Sequence, residues 1–286
     1  MRQESWAGAP EPCVILSWRP PIPHRAASGM KVHQENLADV TRYLEARQCL
    51  DLPDKIPEFE RLLRFVSKVR PPGPETRMLE IGVGTGWFPL LCMANGLNCK
   101  GLEISSQLIE KAMETGRAHG LRPDIELGNI EDTDLGAERY DVVIASSVFE
   151  HVEFWLPALR KVYAALRPGG MLFFESTNKF SFTSGEYKGV PLYGWLPNRL
   201  RYRLRILAQG PDVMKLGIDF NQFTYPGLRR AFRAAGFRTI YDRVDLAELD
   251  RMAGWKRTGM SLARHNRLAR ALLLCFVDAT TFICVK

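Results

Sequence analysis

Three glycines at every second position, Gly82, Gly84 and Gly86, follow a short apolar run that contains Glu80. The run predicts a buried parallel strand, and the glycines predict a tight turn that leads into a helix. Glycine suits such a turn because it tolerates a positive φ and lets the backbone pass close to a ligand. A helix that begins after the turn points its first N–H groups at that ligand. The chemistry indicated is ligand binding, and the turn alone leaves the ligand open.

The spacing of the glycines argues against a dinucleotide. The fingerprint G-x-G-x-x-G would place its third glycine at position 87, where this sequence has Trp87. The second predicted strand ends in Glu103-Ile104, and a carboxylate there can accept hydrogen bonds from both hydroxyls of a ribose. Asn129-Ile130 follows the third, where a polar side chain can read an adenine edge and an apolar one can pack on its face. An exposed surface position is the alternative for Glu103.

The segment Ser146-Ser147-Val148-Phe149-Glu150-His151 follows the fourth predicted strand. Histidine titrates near neutral pH, so His151 is a candidate general base toward a hydroxyl group. A histidine that only packs or caps the start of a helix is the alternative.

Apolar runs alternate with helical patterns along most of the chain. This alternation predicts an α/β fold in which a parallel sheet carries helices on both faces. Strands are predicted over 78–83, 98–104, 124–127, 140–145, 171–176, 238–244 and 280–285. Helices are predicted over 33–48, 56–69, 87–95, 106–119, 155–166, 226–235 and 261–275, and Pro168-Gly169-Gly170 is expected to separate one helix from the fifth strand.

In this order the motifs resemble class I S-adenosylmethionine-dependent methyltransferases, in particular the methyltransferase-11 and ubiquinone-biosynthesis group. The resemblance covers about residues 55–245. It is carried by the E-x-G-x-G-x-G turn, Glu103, Asn129-Ile130, Tyr140-Asp141-Val142-Val143, Leu166-Arg167-Pro168-Gly169-Gly170, and Phe223-Thr224-Tyr225-Pro226 leading to Ala235-Gly236-Phe237.

The resemblance implies a Rossmann-like, seven-stranded, mostly parallel sheet whose last strand is antiparallel. S-adenosylmethionine would lie across the C-terminal ends of the strands. One departure is Asn129, where the family usually has Asp. The cofactor-binding residues it implies are Glu80, Gly82, Gly84, Gly86, Glu103, Ile104, Asn129, Ile130 and Ser146.

The segment after the fourth strand is similar to the E-V-x-E-H-V of ubiquinone-biosynthesis O-methyltransferases, where acidic residues and histidine are associated with a divalent cation. Glu150 and His151 match this pattern, but Ser147 replaces the first acidic residue. Because such a cation prefers several oxygen ligands, we predict no metal site. Glu150 and His151 remain the catalytic candidates.

The expected domain organisation has three parts. Residues 1–29 contain five prolines and little periodicity, which predicts a disordered leader, so translation could begin at Met30 rather than Met1. Residues 30–76 are predicted to form N-terminal helices, and 77–286 the methyltransferase domain. An insertion over about 178–222 follows the fifth strand, and in the resembled fold an insertion there is a lid over the active site.

Positive charge is concentrated around this insertion. Residues 179–270 contain 18 Lys/Arg and 7 Asp/Glu, a local charge of +11, so the rest of the chain carries −4. Aromatic residues and arginines in the insertion suit a small-molecule or lipid-like acceptor, or peripheral contact of the lid with a membrane. A lid helix with solvated arginines is the alternative.

Other partners and compartments are disfavoured. The chain lacks the D/N-P-P-Y/F motif of base-methylating enzymes and an appended RNA-binding domain, so we predict no specific nucleic-acid partner. Six scattered cysteines without a C-x-x-C pair, and the absence of a secretory signal, favour the cytoplasm. The function predicted is methyl transfer to an acceptor oxygen. An RNA or protein methyltransferase and a non-catalytic cofactor-binding protein remain as alternatives.

Overall fold

The computed structural model describes residues 51–182, 192–209 and 221–286. Seven strands form a single sheet in this part of the chain. They are β1 (Arg77–Ile81), β2 (Asn98–Glu103), β3 (Asp124–Leu127), β4 (Tyr140–Ser146), β5 (Leu166–Thr177), β6 (Thr239–Asp242) and β7 (Ala279–Val285). The strand order is β3-β2-β1-β4-β5-β7-β6, and β7 runs antiparallel to β5 and β6, whereas the pairs among β1 to β5 are parallel. The predicted sheet with an antiparallel last strand is confirmed.

Helices connect these strands and cover them. Their bounds are α1 (Ile56–Ser67), α2 (Trp87–Ala94), α3 (Ser106–Ala118), α4 (Trp155–Ala165), α5 (Asn198–Gln209), α6 (Tyr225–Ala235), α7 (Arg243–Leu246), α8 (Gly254–His265) and α9 (Arg267–Phe276). Short 3₁₀ turns also lie at Leu52–Lys55, Phe149–His151, Tyr193–Trp195 and Leu249–Arg251.

The two faces of the sheet carry separate hydrophobic cores. Phe173 packs with α1 and α2 on one face, whereas Phe174, the next residue of β5, packs with α4 and α6 on the other. Both phenylalanines are fully buried. Because successive strand residues point to opposite faces, a strand segment covered on both sides must be apolar throughout, as residues 142–145 of β4 and 171–174 of β5 are.

Helix α1 forms one edge of the cavity described below, and its sequence explains how it packs on the sheet. Phe59, Leu62 and Val66 recur at helical spacing and are all buried against the sheet. Pro57 lies in the first turn, where a missing N–H costs nothing. This anchored face fixes the direction in which the opposite, polar face of α1 projects.

Three predicted boundaries are wrong for identifiable reasons. Strand β5 begins at Leu166 rather than at 171, because Leu166 pairs with Tyr140 ahead of a register shift, so the Pro168-Gly170 stretch lies within the strand. Strand β6 ends at Asp242, whose side chain accepts a hydrogen bond from the N–H of Val244 and starts α7. The helix predicted over 261–275 is two helices, because Asn266 caps a new one.

Some predictions lie outside the described residues. They are the leader over 1–29, the question of Met1 or Met30, the helix over 33–48, and the parts of the insertion at 183–191 and 210–220. In the described ranges, no helix has the length and apolar character needed to cross a membrane.

Gly86 ends the glycine turn in a conformation and a space that only glycine fits. Its φ is +75°, and a Cβ placed on it would lie 2.4 Å from the Cβ of Ala112 in α3. Gly120 has a similar φ of +69°, but a Cβ there would meet nothing within 4 Å. The two glycines therefore separate the cost of steric contact from the cost of backbone strain.

We predict that Gly86→Ala lowers the free energy of unfolding by about 1–3 kcal/mol more than Gly120→Ala does, because only the first forces a side chain into packed space. Denaturant unfolding of the two variants measures this difference. Equal losses would show that α3 does not press against the turn.

Candidate active site

A cavity of about 340 Å³ lies at the C-terminal ends of β1, β2 and β4. Its size is within the range of small-molecule sites. Because the carboxyl ends of parallel strands meet at one edge of the sheet, residues far apart in sequence line it together. Of the predicted cofactor-binding residues, the cavity is lined by Glu80, Gly82, Gly84, Glu103, Ile104, Asn129, Ile130 and Ser146.

The three glycines of the turn have different environments. Gly82 and Gly84 line the cavity with φ values of +71° and +55°, and the N–H of Gly82 donates to the carbonyl of Leu102 over 2.7 Å. Gly86 does not line it and lies against Ala112 instead. The structure thus gives Gly86 a packing position rather than the predicted position in the cavity.

The Glu103 carboxylate ties the turn after β1 to the turn after β2. It accepts backbone N–H bonds from Gly84 at 2.9 Å, Ile104 at 2.9 Å and Ser105 at 3.0 Å. The side chain is buried, so the alternative of an exposed surface Glu103 is wrong. Burial raises the pKa of Glu103 although the three N–H bonds act in the opposite direction. A carboxylate offers about four acceptor positions, so about one remains for a ligand.

Glu80 has the most unusual environment in the cavity. The residue is 5% exposed, and its Oε2 atom is buried without a hydrogen-bond partner. Loss of hydration, followed by repulsion from neighbouring acidic groups including Glu103 and Glu58, raises the pKa of Glu80 well above its ordinary value. A buried, unpaired carboxylate is costly, and a cation bound beside it would relieve that cost.

Asn129 and Ile130 are held in place from behind. The Oδ1 atom of Asn129 accepts the N–H of Glu131 over 3.0 Å, and Glu131 in turn accepts the N–H of Phe154 over 2.6 Å. Lys161 donates to the Glu131 carbonyl beneath this loop. Ile130 is buried. The loop therefore presents an amide and an apolar side chain on a fixed backbone.

The segment after β4 separates the two catalytic candidates. His151 and Ser146 line the cavity. Glu150 is buried outside it and accepts a hydrogen bond from the Ser176 hydroxyl over 2.8 Å. Ser147 adopts a positive φ of +56°, which changes the direction of the chain between Ser146 and Glu150. The structure brings His151 to the cavity and turns Glu150 into the protein interior.

Sequence reasoning missed the part of the cavity formed by residues upstream of β1 and by the residue after the glycines. Lys55 Nζ lies 2.8 Å from Glu58 Oε2 and 5.3 Å from the centre of the Trp87 ring, and all three residues line the cavity. No spacing rule connects Lys55 and Glu58 to a turn more than 20 residues later. The apolar face of α1 was the available signal, because it fixes where Glu58 projects.

The sequence matches a known family over most of its described length. A family model described as a methyltransferase domain matches residues 50–242. The chain is 31% identical over 133 residues to ubiquinone biosynthesis O-methyltransferase of Methylobacterium sp. (strain 4-46), a match that covers 44% of this chain and 53% of that protein. It is 27% identical over 151 residues to the protein of the same name from Rickettsia conorii, with 51% and 50% covered. The chain thus spans about half the length of these curated relatives.

Solved structures share the fold at low sequence identity. A SAM-dependent methyltransferase from Archaeoglobus fulgidus has a TM-score of 0.53 and 16% identity, with 87% of this chain and 100% of that chain covered. Phosphoethanolamine N-methyltransferase 2 of Haemonchus contortus, solved in complex with S-adenosyl-L-methionine, has a TM-score of 0.52 and 16% identity, with 79% and 52% covered.

The cavity fits the charge of S-adenosylmethionine. This cofactor carries a sulfonium, an ammonium and a carboxylate, hence one net positive charge, and the described lining contains four acidic side chains, from Glu58, Glu80, Glu103 and Glu131. The ammonium of Lys55 forms an ion pair with the Glu58 carboxylate. A cationic ligand is therefore favoured, and the unpaired Oε2 of Glu80 offers it a specific partner.

We predict that Glu80→Gln stabilises the protein without ligand but weakens S-adenosylmethionine binding about tenfold or more. Because burial raises the pKa of Glu80, the folded state holds this proton more tightly than the unfolded chain. Stability is then lost as the pH rises from the ordinary value of about 4.3 through the raised pKa, and glutamine removes that loss.

Thermal unfolding across this pH range and calorimetric titration with the cofactor measure the two effects. Glu110→Gln, at an exposed position on α3, is the matched control. A melting-temperature difference between Glu80→Gln and the unchanged protein that does not widen with pH would contradict the assignment.

Proposed function

Because the chain belongs to the class I S-adenosylmethionine-dependent methyltransferases, we propose that it transfers the methyl group of that cofactor to a hydroxyl oxygen of a small-molecule or lipid-like acceptor. The buried Glu80 side chain, whose Oε2 atom has no hydrogen-bond partner in an acidic cavity, is the observation that carries the cofactor part of this proposal. The relatives named as O-methyltransferases support oxygen as the atom methylated.

The cofactor roles that we propose follow from the geometry of the cavity. Glu80 pairs with the ammonium of the methionine part, and Gly82 and Gly84 let the backbone pass beneath it. The one open acceptor position of Glu103 receives a ribose hydroxyl. Asn129 offers its amide to the adenine edge, and the apolar loop residue that follows packs on the ring.

S-adenosylmethionine supplies an electrophilic methyl group and loses its positive charge when the carbon–sulfur bond breaks. The chain's task is to align the acceptor oxygen with that bond and to exclude water, and such positioning supplies about 7–11 kcal/mol. The new carbon–oxygen bond forms as the hydroxyl proton passes to the imidazole of His151, which lines the cavity beside Ser146. S-adenosylhomocysteine and the methylated acceptor leave.

We predict that His151→Ala slows turnover of a hydroxyl acceptor about 100-fold or more and leaves cofactor affinity unchanged, because a positioned base contributes at least that much. The measurement is kcat as a function of pH, with S-adenosylhomocysteine affinity measured separately. His265→Ala, on the exposed surface of α8, is the control. If His151→Ala keeps the full rate and pH profile, the base assignment fails.

The acceptor test uses the purified chain, the methyl donor, and panels of phenols, hydroxylated quinones, sugars and lipids. A product heavier by one methylene, formed together with S-adenosylhomocysteine, supports the proposal. Methyl transfer only to RNA or protein would show that the acceptor is a macromolecule rather than a small or lipid-like molecule. Cofactor binding without transfer to any of these panels would identify a non-catalytic binding protein.

We also propose that the surface around the insertion contacts membranes. Phe182 and Trp195, from the insertion, contact Phe276 of α9 with ring centres 5.2 and 6.3 Å apart. Leu268 and Leu272 extend this face along α9 with 70% and 55% exposure. Exposed arginines lie at 267 on α9 itself and at 199 and 203 on α5, which follows Trp195 in the insertion, so the proposed surface combines apolar and cationic groups, as interfacial helices do.

The cytoplasm remains the proposed compartment. Four cysteines in the described ranges, Cys92, Cys99, Cys275 and Cys284, are free thiols. Free thiols are typical of a reducing compartment.

We predict that the double variant Leu268→Glu, Leu272→Glu binds vesicles containing phosphatidylglycerol about tenfold or more weakly. The reason is that the favourable free energy of moving two exposed leucine side chains from water into lipid is lost. Vesicle co-sedimentation at low and high salt measures this. The control is Leu127→Glu, an exposed leucine of β3. Equal binding by the variant, the control and the unchanged protein would refute the membrane surface.

A further inference from the structure

A second cavity of about 520 Å³ lies beside the first on the α1 face of the sheet. Its walls come from the polar side of α1, the ends of β5 and β7, and the segment from α7 to α8. Neither the family match nor the cofactor roles account for it. We call it the arginine cavity because four arginines line it, namely Arg61, Arg64, Arg243 and Arg251.

Two of these arginines already have their own carboxylate. The guanidinium of Arg61 donates to both oxygens of Glu175, over 3.4 and 3.3 Å. Arg243 donates to Asp278. These pairs form one wall and leave no excess charge there.

The other two arginines share one lining carboxylate. Arg64 Nε lies 3.5 Å and Arg251 Nε 3.6 Å from the same oxygen, Oε2 of Glu248. The Nε atom of Arg64 is buried and makes no hydrogen bond, so the 3.5 Å contact is an ion pair with poor alignment. Arg64 also lies 3.6 Å from Glu60, which projects into solvent and does not line the cavity. Among the residues that line the cavity, the four arginines exceed the three carboxylates by one, and Arg64 Nε is a buried donor without a hydrogen bond.

The arginine cavity also has an apolar lining. Phe65, Leu246, Ala247, Met252 and Met260 line it. A ligand that fills it must combine an anionic group with an apolar body. Arginine suits planar or tetrahedral oxyanions because its five N–H donors form a rigid fork.

The arginine cavity is close to the cofactor cavity. Glu58 lines the first and Arg61 the second, and these residues are one turn apart on α1. Ser146 lines the first cavity and pairs in register with Glu175, which lines the second. A single helical turn and one pair of neighbouring strand residues thus separate the lining of the cofactor cavity from that of the arginine cavity.

We infer that the arginine cavity binds the oxyanion of an acceptor, a carboxylate or a phosphate, with Arg64 and Arg251 as its charge partners. This inference rests on the proposed function and narrows its acceptor to an amphiphilic acid. The buried Nε–H of Arg64 donates to the oxyanion, and the apolar lining residues contact the rest of the molecule.

The test measures binding of benzoate, phenyl phosphate and the neutral isostere benzamide to the full chain saturated with S-adenosylhomocysteine, by ligand-detected NMR. We expect the two anions to bind more tightly than benzamide. Arg64→Gln should weaken the anions about tenfold and leave benzamide unchanged, because a charged hydrogen bond is lost. The matched control is Arg257→Gln, at an exposed position of α8 outside the cavity.

Each outcome decides the inference separately from the proposed function. Preference for benzoate or for phenyl phosphate identifies the oxyanion. Equal affinity for all three probes, no binding in the millimolar range, or equal effects of Arg64→Gln and Arg257→Gln would overturn the inference. Methyl transfer to neutral acceptors alone would overturn the inference and leave the proposed function intact. Anion binding that depends on Arg64, without methyl transfer to any acceptor, would contradict the proposed function and leave the anion site intact.

Folding of the variants is checked by S-adenosylhomocysteine affinity, which reports on the other cavity. If Arg64→Gln does not fold, Arg251→Gln replaces it, because the Arg251 side chain is 65% exposed and its loss disturbs no core. Unchanged anion affinity in Arg251→Gln would then count against the inference.

Discussion

The buried carboxylate of Glu103 is the constraint on which the proposed cofactor site depends. By accepting N–H groups from Gly84, Ile104 and Ser105, it fastens the turn after β1 to the turn after β2. Backbone groups that would otherwise be unpaired at two strand ends are satisfied by one side chain. The glycine turn is thus held open over the cavity by a neighbouring strand as well as by its own sequence.

The hydrogen bonding of Glu103 contrasts with that of Glu80, whose Oε2 atom has no partner. This contrast indicates that Glu80 is the group with an acceptor available for a ligand. Both side chains are buried at the ends of adjacent strands. Glu103 has three partners, whereas the Oε2 atom of Glu80 has none. A site that keeps a buried acidic group without a partner for one of its oxygens loses stability until a cation binds, which is the usual relation between binding sites and stability. The polar side of α1 continues this arrangement, with the Glu58 carboxylate at the cofactor cavity and the guanidinium groups of Arg61 and Arg64 at the arginine cavity.

Much of the fold could be predicted because buried parallel strands must be apolar throughout, and this pattern is visible without tertiary information. The divided use of the glycines could not be, since equal spacing does not reveal that Gly86 meets Ala112 of a later helix. Nor could the inward rotation of Glu150, because adjacent residues in a 3₁₀ turn point in different directions. Glu58 was missed for a related reason: it reaches the cavity only through the packing of α1.

The most direct measurement is a crystal structure of the chain with S-adenosylhomocysteine. We expect the amino group of the ligand to lie within about 2.7–3.2 Å of Glu80 Oε2 and the adenine to lie against Ile130. A ligand bound elsewhere, or bound here with Glu80 still unpaired, would contradict this expectation.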